Sequence, residues 1–357
     1  MPTEEGLTVE TPLPAPPAPA QRRSRRRLVI ALVSVLTVVG LLATAGGVWL
    51  VRLQRSYDRN IQRFGDPSRT IPTASRPTAA APGALNLLLL GSDSRVSAGE
   101  PSQWSLGAQR TDAIMLLHIP ADRSGAFVAS IPRDSWVRIP GHGYGKINAA
   151  FSYGGPALMV RTVETLTDVR IDHVVIVDFT GFSKLTDTLG GVTISVPRAT
   201  RDKRAEFPAG TYRMDGATAL NYVRQRYNLP GGDIDRERRQ QNWIRAVLRG
   251  VASEGTLTDP VRLNHLITEL TKSIAADDSF TISQMRDLAW SLRGLPPSQV
   301  AFFTAPIAGT GRSPDGRQSI VNLDPVADRA LWTSMAHDQV LGWVADHTPA
   351  LLASTVD

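Results

Sequence analysis

Apolar residues recur along this chain with two periods. From Leu85 to Leu90 they form a run fit for a strand buried on both faces. Shorter apolar runs predict further strands at 113–119, 126–131, 135–139, 173–179, 192–196 and 300–304. Spacings of three and four predict helices at 156–166, 181–189, 217–223, 236–251, 260–274, 282–293 and 325–340. The two kinds alternate irregularly, which predicts an α/β fold with helices packed on both faces of the strands. The sequence shows no internal repeat.

One apolar run is of a different kind. Leu28 to Val51 carries no charge and would span about 36 Å as a helix, enough to cross a bilayer with some tilt. Arg22, Arg23, Arg25, Arg26 and Arg27 precede it, which places the N-terminus in the cytoplasm; Arg52, Arg55, Arg59 and Arg63 follow more sparsely. Ala43-Thr44-Ala45 has the small-x-small form of a cleavage site, so a cleaved signal peptide competes with an anchor. The run continues past that point and is longer than a usual signal core, which favours a single-pass, type II anchor in the cell membrane. Both readings export the remainder. The expected organisation is a disordered basic cytoplasmic tail (1–27), a transmembrane helix (28–51) and an extracytoplasmic Pro-, Ala- and Thr-rich linker (52–84). A globular domain (85–250) follows, then a C-terminal α/β extension packed on it (251–357).

Charge and composition narrow the chemistry. The formal net charge is +6, and the sequence pI near 9.9 would ordinarily suggest nucleic acid. Most of the excess sits in the two basic segments beside the apolar run, where it fits anionic lipid headgroups; from Phe64 onward the net charge is +1. A nearly neutral domain with one dense arginine cluster fits a compact anion better than a nucleic-acid track, so no nucleic-acid partner is expected. With no cysteine in the chain, disulfides, thiolate zinc sites and a cysteine nucleophile are excluded.

That cluster lies in NYVRQRYNLPGGDIDRERRQQ (221–241). Asp215 should cap a short helix ending near Val223, leaving Arg224 and Arg226 two apart on an extended exit and pointing the same way. After the Pro-Gly-Gly turn, Asp235 is the expected N-cap of a second helix, with Arg236, Arg239, Gln240 and Trp243 on one face. Arginines in a first helical turn oppose the helix dipole unless an anion sits there with them. The plainer reading is a solvated turn with local Asp–Arg pairs; the clustering favours an oxyanion site, phosphate above all.

Two aspartates stand at the ends of the first two strands, Asp93 in GSDSR and Asp112 in QRTD, beside Arg95 and Arg110. Two carboxylates near a phosphate site suit Mg²⁺, which takes one or two carboxylates, waters and phosphate oxygens; turn-capping explains them equally well. In IPRDSWVRIPGHGYGKINAAF, Arg133 and Asp134 follow a strand, and Lys146 precedes a helical NAAF segment where a phosphate could rest. P-loop spacing, a G-x-S-x-G elbow and H-E-x-x-H are absent, and His118 and His173 read as packed within strands.

The segments LLLLGSDSR, QRTDAIMLL, SIPRDSWVRIPG, KINAAFSYGG, VDFTGF, LGGVTISVP, GTYRMDGATALNYVRQRYN and GDIDRERRQQ occur in an order and spacing that resembles the LytR–CpsA–Psr (LCP) family over about 85–250. The resemblance implies that family's central mixed β-sheet with helices on both faces. It implies an Mg²⁺-dependent phosphotransferase of the teichoic acid or arabinogalactan ligase type. Such an enzyme moves a glycopolymer, with its linking phosphate, from a polyprenyl-pyrophosphate carrier to a peptidoglycan hydroxyl. Asp93 and Asp112 match the family's magnesium-associated aspartates, and Arg110, Arg133, Arg224, Arg226 and Arg236 its pyrophosphate contacts. Arg239 and Gln240 complete the motif, with Arg95 and Lys146 as further substrate contacts and Asp112 as candidate base. Arg238 has no assignment. The alternatives are a polyprenyl-pyrophosphate pyrophosphatase and a membrane-bound envelope regulator; a short cytoplasmic tail without hydrophobic periodicity argues against a DNA reader.

Overall fold

A computed structural model of the chain describes residues 44, 47, 48, 51–79, 81–92, 111–253 and 259–356. It divides into two units, Met1–Arg55 and Ser56–Asp357. The expected membrane span at 28–51 lies almost wholly outside the described residues, as do Asp93, Arg95 and Arg110. Among the described residues, no helix is long and apolar enough to cross a membrane.

The second unit is built on a seven-stranded mixed sheet. Its strands are β1 (Gln62–Phe64), β2 (Leu85–Ser92), β3 (Thr111–Ile119), β4 (Ala126–Ser130), β7 (His173–Asp178), β12 (Ile274–Asp277) and β13 (Val300–Thr304), in the order β1-β12-β7-β2-β3-β4-β13. β2 is parallel to β7 and antiparallel to β3, β3 is antiparallel to β4, and β4 is parallel to β13. β2, β4, β7 and β13 therefore run one way and end on one edge of the sheet. Ligands of open α/β sheets sit at the carboxyl ends of such strands.

The period-two alternation of the strands divides the core. Leu88, Leu90, Ile114 and Leu116 face helix α1 (Asn148–Thr167) and helices α7 (Pro325–Ala336) and α8 (Val340–Asp346). Leu87, Val175 and Ala276 face α6 (Ile282–Ser291) on the other side, while Met115 and Val128 meet α4 (Asp233–Ser253). Both faces are covered, as the alternation of strands and helices predicts. A satellite layer stands beyond α4: α2 (Phe179–Thr188), the hairpin of β8 (Val192–Val196) with β11 (Gly210–Met214), the short pair β9 (Thr200–Arg201) with β10 (Glu206–Phe207), α3 (Gly216–Arg224) and α5 (Pro260–Lys272). Gly216 is required there, since a Cβ would stand 2.1 Å from the Ser183 carbonyl oxygen.

Four expectations need correction. The stretch 52–84 does not hang free as a linker from Ser56 onward. Ile61, Phe64 and Ile71 are buried, β1 joins the sheet, and Arg76 reaches the buried Glu164 at 2.6 Å and the Ile171 carbonyl at 2.5 Å. The stretch 251–357 is not an added extension. Its β12 is inserted between β1 and β7, its β13 forms the opposite edge of the sheet, and Leu331, Trp332, Met335 and Trp343 enter the main core. The helix expected over 325–340 breaks after Ala336, where Asp338 takes a left-handed φ of 59°; its Oδ1 meets the buried His118 ring at 2.9 Å. Similarly, Ile274 starts a buried strand rather than ending a helix. The α1 segment is kinked at Gly154 and Gly155, so its second part starts at Pro156 as the spacing predicts, with the NAAF turn before it.

Candidate active site

Each charged side chain reaches the site by a local cause. β4 ends at Ser130, and Ile131 still donates to the Ile114 carbonyl at 2.8 Å, so Arg133 emerges beyond the carboxyl end of the sheet. β3 runs the opposite way and brings Asp112, near its start, to the same edge. Asp215 caps α3 by accepting from the Thr218 amide at 2.8 Å. That helix runs one residue further than expected, so Arg224 is not on an extended exit beside Arg226 but in the last helical turn, where a cation suits the dipole. Gln225 is extended, and Arg226 follows on the exit. The turn then reverses through Gly232, whose φ of 58° favours glycine, into α4. Asp235 is not the N-cap expected from the sequence. The helix begins at Asp233, and Asp235 folds back to accept from the Gly231 amide at 2.6 Å.

Asp233 is the centre of the cluster, a role the sequence reading missed. Arg133 approaches it with Nε at 2.8 Å and Nη2 at 3.2 Å, in a two-pronged contact. Arg236 Nη2 donates to it at 2.9 Å and Arg226 Nε lies at 3.4 Å. Arg133 also holds the Asp112 carboxylate through Nη1, and Arg236 reaches the Asp112 carbonyl at 3.3 Å. Three guanidinium groups thus surround two carboxylates, leaving a positive excess at the sheet edge. Burial alone would weaken the Arg133 cation, but Asp233, Asp112 and Asp134 outweigh it and hold the group above its ordinary value.

Behind these arginines lies Glu237, also missed. Burial, reinforced by the charge of Asp233, pushes its carboxyl up to about 8 against the opposing pull of Arg236 and Arg133. Glu237 Oε2, Gln240 Oε1 and Arg236 Nε are buried without hydrogen-bond partners.

The other expected residues sit elsewhere. Arg239 is wholly buried: it donates to Gln225 Oε1 at 2.6 Å and Thr200 Oγ1 at 2.9 Å, 4.5 Å above the Tyr222 ring, and so braces the satellite layer. Gln241 ties α4 to the sheet through Ser130 Oγ and the Phe303 carbonyl. Lys146 pairs with Asp134 at 3.1 Å rather than with Asp112 or Asp233. Arg224 is half-buried at the end of α3. Arg238, unassigned by sequence, pairs with Asp235 at 3.1 Å and is half-exposed. His118 contacts Asn86, and His173 stacks on Phe280, both as packed side chains.

For a metal, no three carboxylate or imidazole groups converge among the described residues. Asp112 alone of the expected pair is described; Arg133 holds one of its oxygens, and the side chain stays partly exposed at the sheet edge. One such carboxylate beside an anion-binding cluster fits Mg²⁺, a cation that keeps waters and takes phosphate oxygens.

Comparison with known proteins gives the family. A model of the LytR_cpsA_psr family matches residues 58–330. The chain belongs to this family. It is 31% identical over 353 residues to the cell wall biosynthesis protein LcpA of Corynebacterium glutamicum, a match covering 86% of the chain but 66% of LcpA. It is 32% identical over 243 residues to the polyisoprenyl-teichoic acid–peptidoglycan teichoic acid transferase TagT of Bacillus subtilis, covering 64% of the chain and 73% of TagT. Its fold resembles a solved structure of TagT bound to LI-WTA, with a TM-score of 0.58 and 26% identity, over 76% of the chain and 98% of that structure.

Proposed function

We propose that this LCP protein is a phosphotransferase that moves a glycopolymer from a polyprenyl-pyrophosphate carrier to a peptidoglycan hydroxyl, on the outer side of the membrane to which residues 28–51 anchor it. The observation that carries the reading is the convergence of Arg133, Arg226 and Arg236 on Asp233 beside Asp112. The arginine forks match the planar oxygen sets of a pyrophosphate. The resemblance to TagT supports the choice of donor and acceptor.

In the transfer, the acceptor oxygen attacks the phosphorus bearing the glycopolymer. The bond from that phosphorus to the bridging oxygen breaks, and polyprenyl monophosphate leaves. The hydroxyl proton passes to Asp112, whose second oxygen is not engaged by Arg133 in the ion pair. Phosphoryl transfer asks the protein chiefly for positioning and charge neutralisation, and the arginines neutralise charge on both the transferred and leaving phosphates. Asp112, with Asp93, would hold Mg²⁺, which supplies Lewis-acid polarisation of the phosphate oxygens.

The test is transfer from a polyprenyl-pyrophosphate-linked saccharide to peptidoglycan, read as a covalent phosphodiester in the wall fraction. Arg236→Lys keeps the charge and loses the fork, so it should lose most of the transfer. Arg238→Lys should match the parent. Carrier hydrolysis without a wall-linked product would move the case to a pyrophosphatase.

A further inference from the structure

A second cavity lies along the β5–β6 hairpin. β5 (Trp136–Ile139) pairs antiparallel with β6 (Gly143–Lys146), matching Trp136 with Lys146 and Arg138 with Tyr144. Val137 and Ile139 point into the core. By alternation, Trp136, Arg138, Tyr144 and Lys146 share the outer face. Trp136, Arg138 and Tyr144 of that face form one wall of a cavity of about 590 Å³, within the range of small-ligand sites. The facing wall comes from β15 (Ser319–Leu323) and the first turns of α7, with Asn322, Asp328 and Trp332.

Two polar atoms on that wall lack partners. Asp328 Oδ1 and Trp332 Nε1 are both buried without a hydrogen bond, in residues 5% and 2% exposed. The indole N–H, one helical turn on, eases the carboxylate charge without closing a bond to it. Leaving such groups unpaired is costly, so a partner that completes them is favoured. A hydroxyl is suited to complete both at once, accepting from the indole N–H and donating to the carboxylate. Burial pushes the Asp328 carboxyl up to about 7, so near neutrality it serves a hydroxyl as donor or acceptor. Across the cavity stand the half-buried Trp136 and the exposed Tyr144, 67% accessible, which offer flat apolar faces with polar edges. Hydroxyls beside flat apolar faces describe a sugar ring.

We infer that this cavity is a saccharide-binding site, seating a sugar hydroxyl between Asp328 and Trp332 with the ring against Trp136 and Tyr144. It goes beyond the transfer reading, because binding here requires no chemistry at the arginine cluster. It also gives Lys146 a setting: Lys146 lies on the same hairpin face, and its partner Asp134 directly follows Arg133. A glycan seated in the cavity is led along the hairpin toward the cluster. The sugar can come from the acceptor wall glycan or from the donor polymer.

Titration of the full-length protein with tri-N-acetylchitotriose, and separately with maltotriose, tests this by tryptophan fluorescence and saturation-transfer NMR. At least one trisaccharide should bind saturably in the millimolar range. Affinity should fall up to about tenfold in Tyr144→Ala and in Asp328→Asn, the equivalent of one hydrogen bond or stacking contact. Arg236→Lys should bind as the parent does, so a failure of the transfer reading stays separate from a failure of this one. Preference for the acetamido sugar assigns the site to wall glycan, and preference for maltotriose to a hexose-bearing donor. No saturable binding of either, or binding that survives both cavity variants, overturns the inference and leaves the cavity to water.

Discussion

Removing Asp233 is the sharpest test of the site as described. Its carboxylate receives two hydrogen bonds from Arg133, one from Arg236 and a longer contact from Arg226. The Arg133 and Arg236 side chains are 10% and 4% exposed, so Asp233→Ala strands two buried cations, with Asp112 as the remaining carboxylate. A hydrogen bond to a charged group contributes about 1.5–3 kcal/mol, and breaking a buried ion pair costs about 3–5 kcal/mol. Asp233 itself is 26% exposed, so water recovers part of that. The expected loss is therefore about 2–4 kcal/mol, several degrees in Tm for a unit of this size. The assay is urea unfolding of parent and variant, repeated with inorganic pyrophosphate. Pyrophosphate should restore more stability to the variant than it adds to the parent, since an anion bound to the folded state replaces the missing carboxylate. A loss below about 0.5 kcal/mol, or equal pyrophosphate effects, would refute the central role of Asp233.

Arg76→Met should destabilise by about 3–5 kcal/mol in the same unfolding assay, because it leaves Glu164 buried without its ion partner; Arg76→Lys should recover little, as the guanidinium also serves the Ile171 carbonyl. Asp328→Asn should flatten the acid-to-neutral stability profile. The folded carboxyl titrates near 7 and the unfolded near its ordinary 3.8, so the fold binds the extra proton between them and loses stability as pH rises through that window. The Asn variant should therefore gain on the parent at pH 8 and match it most closely at pH 4, read as Tm against pH; a gain equal at both ends would reject burial of the charge as the cause.

What could be read from the sequence follows physical range. The strand at Leu85, the helix start at Asp215 and the helix start at Pro156 are local: a run of buried residues, a capping oxygen and a fixed φ decide each within a few positions. The arginines of 224–239 drew notice in the sequence because guanidinium groups crowded at a turn call for an anion, whereas Arg133 drew its role from the family resemblance alone. Arg110, Asp93 and Arg95 fall outside the described residues, so the structure adds nothing to what their sequence position suggests.

The misreadings within α4 share one cause: in a run of mixed charge, sequence does not say which side of a helix is inside. GDIDRERRQQ looks like a solvated face with Asp–Arg pairs at i,i+3, and two such pairs do form, Asp233–Arg236 and Asp235–Arg238. What sets them apart is remote. Arg133, a hundred residues earlier, converts Asp233 from a local counter-ion into the meeting point of three arginines. Thr200 and Gln225 draw Arg239 into the satellite layer, and the sheet draws Gln241 inward. Charged side chains are rarely buried unless paired, so the prior for each of these residues pointed outward. The first turns of α4 are buried in their charge because two layers close over them. That enclosure shields Arg133 and Arg236 from water, and a hydrogen bond from a shielded guanidinium is stronger than the same bond on an open surface.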